Sequence, residues 1–417
     1  MKNTILIDYP NKLNIIFDKL DFFHIKPILI GGYVRDKFLN LDSKDIDIEL
    51  YGINSLQKLQ NILQEFGTVN NVGKSFGVCK LDYEGLELDF SLPREDSKVS
   101  SGHCGFEIVT NSSLDFKTAT SRRDFTINAI GYDVIEKKIL DPFNGLHDLK
   151  NNILRAVNLQ TFGEDPLRVL RAVQFSSRLN FTLEDNLISL CQQLVRKGTL
   201  KELARERIYE EFQKLLLKSK KPSIGFFLLK KLETFEFFKE LSSLNDTCFT
   251  SMVNALDSYN KTKIPKIDIT LMLTLICIDM TQNNSFSFVS KLTNDKEILQ
   301  SIDTYKSIFE AIELKEFSNY EVYQLALHVN IEYFVLLLKA KYNNRKLVID
   351  KLLAQAEDLG VKNSKKEALI QGRDLIKLGL KPSKIFSKIL DNVYDAQLHN
   401  QFSTYDEAVG WLKNNLL

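Results

Sequence analysis

The sequence predicts an α+β protein: a small mixed sheet with helices over residues 1–150, followed by an all-helical remainder. Short β-branched runs such as PILI and DIDIELYG alternate with helical patterns in the first third of the chain. From about residue 165 onward the hydrophobic period becomes that of a helix, in PLRVLRAVQFSSRL, ERIYEEFQKLLLKS and SIGFFLLKKLETFEFF, with few strand signals. Finally, 417 residues with 44% hydrophobic and 26% charged side chains suffice for two or more domains and a sizeable core.

The elements follow in order. PILI reads as a strand and YVRDKFLN as a helix; DIDIELYG is a second strand and SLQKLQNILQEF an amphipathic helix. GVCKLDYEGLELDFSL reads as a hairpin turning at Glu84-Gly85. The segment SLPREDSKVSSGHCG, rich in Ser, Gly and charge, reads as a mobile loop. There is no internal repeat and no low-complexity tail.

Bulk chemistry narrows the function classes. The 55 basic and 54 acidic residues nearly cancel, so a nucleic-acid partner would have to be met by a local basic patch. The five cysteines, Cys79, Cys104, Cys191, Cys248 and Cys277, show no CxxC spacing, which argues against a disulfide framework or a zinc site and fits a reducing cytosol. No apolar leader or bilayer-spanning segment is evident, so a cytoplasmic protein is expected.

The first chemical signal is an Asp-x-Asp pair. Alternate side chains of a strand share a face, so Asp45 and Asp47 project together while Ile46 and Ile48 enter the core. Two adjacent carboxylates repel unless a cation lies between them, and hard oxygen ligands of this kind suit Mg²⁺ together with substrate phosphates. In LELDFSL, Glu87 and Asp89 share a face as well, which makes Asp89 a candidate third ligand of a two-metal site. The alternative is a solvated edge of an amphipathic strand. Just upstream, Gly31-Gly32 ends a strand and opens a helix whose backbone N–H groups, from Gly32 onward, would face a phosphate, with Arg35 one turn in as a bidentate donor. A plain tight turn is the alternative there.

These residues, GGYVRDKFLNLDSKDIDIEL, resemble the GGxVRD…DxD signature of nucleotidyltransferases related to DNA polymerase beta. In particular they are similar to the bacterial (class II) tRNA nucleotidyltransferase and poly(A) polymerase family. Further matches come in the family's order: RRDFTINAI (122–130), DPFNGLHDL (141–149), EDPLRVLRAVQF (164–175) and ARERIYEEF (204–212). GRDLIKLGLKPSKIFSKILDNVYDAQL is similar to the family's tail. The matches are dense over residues 28–215 and thin elsewhere.

The resemblance implies a polymerase-beta-like catalytic head over 1–150, a helical neck carrying the nucleotide-selecting motif over 151–222, and a helical body and tail that grip tRNA over 223–417. It implies that Arg123 holds the triphosphate and that Asp124 with Asn128 reads the ribose; a buried Arg–Asp pair tying head to neck is the alternative. Within GEDPLRVLR, Asp165, Arg168 and Arg171 recur every three residues, and Pro166 marks a helix start. A carboxylate beside a guanidinium offers an acceptor next to donors. Cytosine and adenine each present an amino donor beside a ring-nitrogen acceptor and match it; uracil and guanine present the opposite order, and the unpaired buried groups would reject them. Asp165 and Arg168 would thus select C and A without a template, unless the stretch is only a salt bridge on a solvated helix. Relatives often carry another Arg at Gln174, which removes one contact.

The implied reaction is the attack of a tRNA 3′-hydroxyl on the α-phosphate of CTP or ATP, assisted by two Mg²⁺ ions on Asp45 and Asp47, with release of pyrophosphate. Many relatives carry a histidine-aspartate phosphohydrolase domain after the neck. Here only His328 and His399 lie beyond it, neither followed by Asp, and LICIDM places Ile278-Asp279 where a His-Asp pair would stand; no phosphohydrolase activity is expected. RKGTLK and KSKKP are candidate phosphate contacts. Full CCA addition leads. The loop Ser91–Gly105, altered in CC-only relatives, favours an enzyme able to add A, and an A-only enzyme would imply a separate CC-adding partner. Poly(A) polymerases of the family usually carry long basic extensions, whereas this chain stops soon after DEAVGWLKNNLL. A non-catalytic RNA-binding protein is the reading of a different class, and it would be expected to have lost Asp45, Asp47 or Arg168.

Overall fold

The computed structural model describes residues 6–43, 45–70, 78–98, 106–111, 113–262 and 267–416. Its first nine strands are β1 (Lys26–Ile30), β2 (Asp45–Tyr51), β3 (Thr68–Asn70), β4 (Val78–Tyr83), β5 (Leu86–Ser91), β6 (Arg94–Lys98), β7 (Phe106–Thr110), β8 (Gly131–Asp133) and β9 (Lys138–Leu140). Seven of them form one mixed sheet in the order β3-β4-β5-β2-β1-β8-β9. Neighbours run antiparallel except β2 and β5, whose parallel register sets Asp47 opposite Asp89 and Asp45 opposite Glu87. The expected alternation on β2 is present: Ile46, Ile48 and Leu50 are buried, while Asp45 is exposed and Asp47 partly so.

The β4–β5 hairpin turns at Glu84 and Gly85, both with positive φ (47° and 79°), which a tight two-residue hairpin demands. The segment expected to be an irregular loop instead has paired stems: β6 and β7 run antiparallel from Arg94↔Thr110 to Lys98↔Phe106. Phe106–Thr110 carries Ile, Val and Thr, the side chains that a pleated backbone accommodates best, and this outweighs the flexible composition around it. The tip, residues 99–105, lies outside the described residues.

The chain divides into two compact units, Met1–Ser242 with Lys291–Thr293, and Ser243–Ser290 with Asn294–Leu417. Residues 151–222, expected as a helical neck, lie in one compact unit with the sheet, and that unit runs on to Ser242. The reason is local packing. The helix Pro222–Lys231 sets Gly225 against Leu215 and Ser177, where a Cβ would lie 2.4 Å from a Leu215 methyl, and Ser177 Oγ donates to the Lys221 carbonyl at 2.9 Å. The second unit is helical. Toward its end Leu375, Val393, Ala408 and Leu412 form a core between the helices Gly372–Lys377, Ile385–Leu398 and Tyr405–Asn415. Asp279 there is ion-paired with Lys341, and His399 Nδ1 lies 3.0 Å from the Asp395 carbonyl. Among the described residues no helix is long and apolar enough to cross a membrane.

Candidate active site

The glycine turn is built by one residue more than the other. Gly31 has φ +69°, and a Cβ there would stand 2.9 Å from Arg123 Nη1 and 3.5 Å from Asp47 Oδ2. Only glycine allows both the left-handed backbone and this close approach. Gly32, the residue singled out from sequence, would tolerate a Cβ, whose nearest neighbour is Arg35 Nη2 at 3.6 Å. The helix Gly31–Phe38 then runs beneath the sheet with Tyr33, Val34, Arg35 and Asp36 buried.

Arg35, expected as a phosphate donor, lies one turn into this helix. It is 3% exposed, donates through Nε to Asp36 (2.8 Å) and through Nη1 to Asn128 Oδ1 (2.6 Å), and lies over the Phe175 ring at 5.0 Å. Burial pulls its pKa down, and the Asp36 carboxylate works against that shift. The bonds to Asp36 and Asn128 fix the guanidinium beside the glycine turn, with Nη2 3.6 Å from where a Cβ on Gly32 would stand. Asn128 is likewise interior, 5% exposed, and donates to Asp124 Oδ1 at 3.0 Å. This bond links it to Asp124, which lines the cleft. Gln174, thought to cost the site a contact, is 1% exposed inside its helix, where a longer basic side chain would be buried as well.

Arg123 and Asp124 lie in a turn, with Phe125 bridged to Ala156 and a short 3₁₀ segment at Thr126–Asn128. The neighbouring DPFNGLHDL segment holds this turn. Asp141 accepts from the backbone N–H groups of Gly145 and Leu146 (2.6 and 3.0 Å), and buried Asp148 accepts from Thr126 Oγ1 (2.7 Å) and Arg155 Nε (3.1 Å). Gly145 is obligatory, since a Cβ would fall 2.3 Å from the Thr126 carbonyl. Arg123 Nη1 donates to the Asn128 carbonyl at 3.1 Å, while its buried Nε has no hydrogen-bond partner among the described residues.

The helix Leu167–Leu179 brings the selecting residues in. Arg171 binds Asp124 Oδ2 through Nε (2.8 Å) and Nη2 (2.6 Å), the pair that ties the helix to the turn. Burial alone would raise the Asp124 pKa, but Arg171, Asn128 and Arg168 outweigh it and hold the carboxyl below its ordinary value. Arg168 donates to two backbone carbonyls, Thr161 (3.1 Å) and Arg122 (2.5 Å), which fix the plane of its guanidinium. Asp165 caps the helix start through Leu167 N (3.1 Å) and is gripped by Arg207 Nη2 (2.9 Å).

One cleft of about 380 Å³ gathers Asp47, Asp89, Arg123, Asp124, Asp165, Arg168 and Arg171. Six of these were named as nucleotide or metal residues from sequence, and Asp89 was the candidate third ligand. Arg94 and Arg122, which also line it, were not. Arg207 and Glu211 were also missed. Glu211, 3% exposed, lies 3.8 Å from Arg171 and 2.7 Å from Lys214. Their signal was available: the two residues are one helical turn apart in ARERIYEEF, on the face that meets Asp165 and Arg171.

The donor set fits a hard divalent cation. Asp45 and Asp47 lie on one face of β2 with Asp89 alongside, and Asp89 Oδ2 is held by Lys80 at 2.9 Å. Burial raises the Asp47 pKa, Asp89 and Asp45 push the same way, and only Arg123 and Lys80 oppose them. An excess of negative charge that burial makes costly is what a bound cation relieves. Among the described residues no three His, Cys, Asp or Glu side chains group closely enough to form a metal cage, Asp45, Asp47 and Asp89 included.

A glycine turn, an Asp-x-Asp strand and an arginine-lined cleft on a small mixed sheet define a nucleotidyltransferase. Family models agree along the chain: the poly(A) polymerase head domain matches residues 28–155, an RNA- and SrmB-binding site of polymerase A matches 180–244, and tRNA nucleotidyltransferase domain 2 matches 263–411. The chain belongs to the tRNA nucleotidyltransferase and poly(A) polymerase family. It is 29% identical over 310 residues to the CCA-adding enzyme of Francisella tularensis subsp. tularensis, covering 74% of this chain and 81% of that one. It is 36% identical over 220 residues to the multifunctional CCA protein of Mannheimia succiniciproducens, covering 52% and 50%. In fold it is similar to the Bacillus stearothermophilus CCA-adding enzyme in complex with CTP (TM-score 0.76, 19% identity, 97% and 98% covered). It is also similar to the Thermotoga maritima CCA-adding enzyme complexed with tRNA (TM-score 0.69, 21% identity, 99% and 97% covered).

Proposed function

We propose that this protein adds C and A nucleotides to the 3′ end of tRNA from CTP and ATP, without a template, releasing pyrophosphate. The observation that carries the reading is the single cleft in which Asp47, Arg123, Asp124, Asp165, Arg168 and Arg171 converge. A triphosphate entering it meets Arg123 between the glycine turn and the carboxylate strand. The base meets Asp165 and Arg168, whose orientations are set by Arg207 and by two backbone carbonyls. A fixed acceptor beside fixed donors pairs with cytosine and adenine and leaves groups unpaired against uracil and guanine. Asp45 and Asp47, with Asp89 as a further candidate, would hold Mg²⁺. When bound, the ions would supply Lewis-acid neutralisation of charge on the phosphates and the attacking 3′-oxygen. The protein's own part is positioning and fixed electrostatics. A cytoplasmic location follows from the same reading, since that is where tRNA and nucleoside triphosphates meet.

The test uses three tRNA transcripts, one lacking CCA, one ending in C and one ending in CC. Each is incubated with Mg²⁺ and labelled CTP, ATP or both, and the 3′ ends are sequenced. Completion of CCA on all three is expected. Addition of A to the CC-ended transcript alone would replace this reading with that of an A-adding enzyme working beside a separate CC-adding partner. The Asp45→Ala/Asp47→Ala double variant is expected to lose incorporation by at least about a hundredfold. Wild-type incorporation by that variant would refute the metal site.

A further inference from the structure

The Asp-x-Asp strand carries a third acidic residue on the same face, and the function proposed above does not use it. Glu49 lies two residues beyond Asp47 and is completely buried. A buried carboxylate requires partners for both oxygens or a cation close by. Oε1 accepts from the Tyr51 hydroxyl at 2.5 Å, whereas Oε2 has no hydrogen bond and faces Arg122 Nη2 at 3.8 Å. Arg122 lines the cleft, and its backbone carbonyl is the 2.5 Å acceptor for Arg168. A continuous path therefore runs from the metal-bearing strand through Glu49 to Arg122 and on to the guanidinium that faces the base.

We propose that Glu49 is a positioning residue for base selection: with Tyr51, it anchors Arg122 so that the Arg122 carbonyl fixes the plane of Arg168. The inference rests on the reading of Arg168 as a base-reading donor. Glu49 is fully buried while Arg122 reaches the cleft, and the carboxylate charge acts on the guanidinium across 3.8 Å, so the anchor depends on charge and not on shape alone. Removing the charge weakens the hold on the Arg122 side chain from the strand side and loosens the peptide that follows it. Arg168 then keeps the Thr161 carbonyl but loses the rigidity of its second acceptor. Its donors become adaptable, and adaptable donors penalise a mismatched base less.

The test measures kcat/KM for CTP, UTP, ATP and GTP on the full-length protein with tRNA ends awaiting C or A. The variants are Glu49→Gln, Arg122→Met and the double variant, with thermal melts of each. Glu49→Gln is expected to lower the CTP/UTP and ATP/GTP ratios by about tenfold. Arg122→Met should do the same, and the double variant should be no worse than either single, because both break one path. Glu49→Asp, which keeps the charge, should recover part of the selectivity. Glu49→Gln that lowers the melting temperature while leaving both ratios at wild-type values would overturn the proposal, as would multiplicative losses in the double variant. If Glu49→Gln does not fold, the same cycle run with Tyr51→Phe and Arg122→Met decides, under the same two outcomes. A wild-type protein that fails to discriminate among the four nucleotides would refute the base-reading role of Arg168 and this inference with it. Discrimination intact in both wild type and variants refutes only the inference.

Discussion

Asp165 shows how much one side chain is asked to do. It accepts from the first backbone N–H of its helix, receives Arg207 and lines the same cleft as Arg168. Replacing it with Ala should lower discrimination against UTP and GTP by about ten- to a hundredfold while addition of C and A persists, as single-turnover assays with all four nucleotides would show. Asp124 supports a pH prediction. Its folded pKa is depressed because Arg171, Asn128 and Arg168 overcome the cost of burial. A depressed carboxyl contributes stability that is fully present above its unfolded pKa of about 3.9 and is lost as pH falls through the lower folded value. Urea melts across that acidic range should therefore be steeper in pH for wild type than for Asp124→Asn. Arg35 and Asn128 make a related point. Their residue types suit a phosphate and a ribose, and each also makes hydrogen bonds inside the fold that residue type alone does not announce.

Among the elements, the helix Leu167–Leu179 is clamped from two sides. The turn holds it through Asp124–Arg171, and the helix Arg205–Lys218 holds it through Arg207–Asp165 and Glu211–Arg171. Arg207→Ala leaves every base-facing group in place but releases the Asp165 carboxylate. It should reproduce the Asp165→Ala loss of selectivity in milder form, by about a few-fold, in the same four-nucleotide assay. The glycine turn is the other constrained element. Gly31→Ala must place a Cβ in a left-handed conformation, at a cost of about 1–2 kcal/mol, and must also displace Arg123. A lower melting temperature together with a raised KM for CTP and ATP is expected, whereas Gly32→Ala should leave both near wild type.

At the scale of the whole molecule, a net charge of +1 leaves no general field to attract RNA, so tRNA affinity must come from local Lys and Arg contacts. Binding measured at several salt concentrations should weaken linearly in log–log form, with a slope that reports the number of phosphates contacted. The Asp45→Ala/Asp47→Ala protein should keep that slope and affinity while losing incorporation. Its melting temperature should no longer rise with added Mg²⁺, whereas the wild type's is expected to rise.

Much of this protein was readable before any folding was considered. The period switch near residue 165 separates sheet from helices, the alternation on β2 puts Asp45 and Asp47 on one face, and the ordered motifs name the cleft, because each is a local pattern of spacing and residue type. Local spacing says nothing about what a side chain meets after the chain closes on itself. Which glycine is obligatory depended on Arg123, 92 positions away, arriving at 2.9 Å from Gly31. That Arg35 meets Asn128, that Arg207 grips Asp165 and that Glu49 faces Arg122 are long-range pairings, set by how the helices pack onto the sheet. The sequence named the candidate chemistry; burial and distance decided which of those residues line the cleft and which neighbours hold them in place.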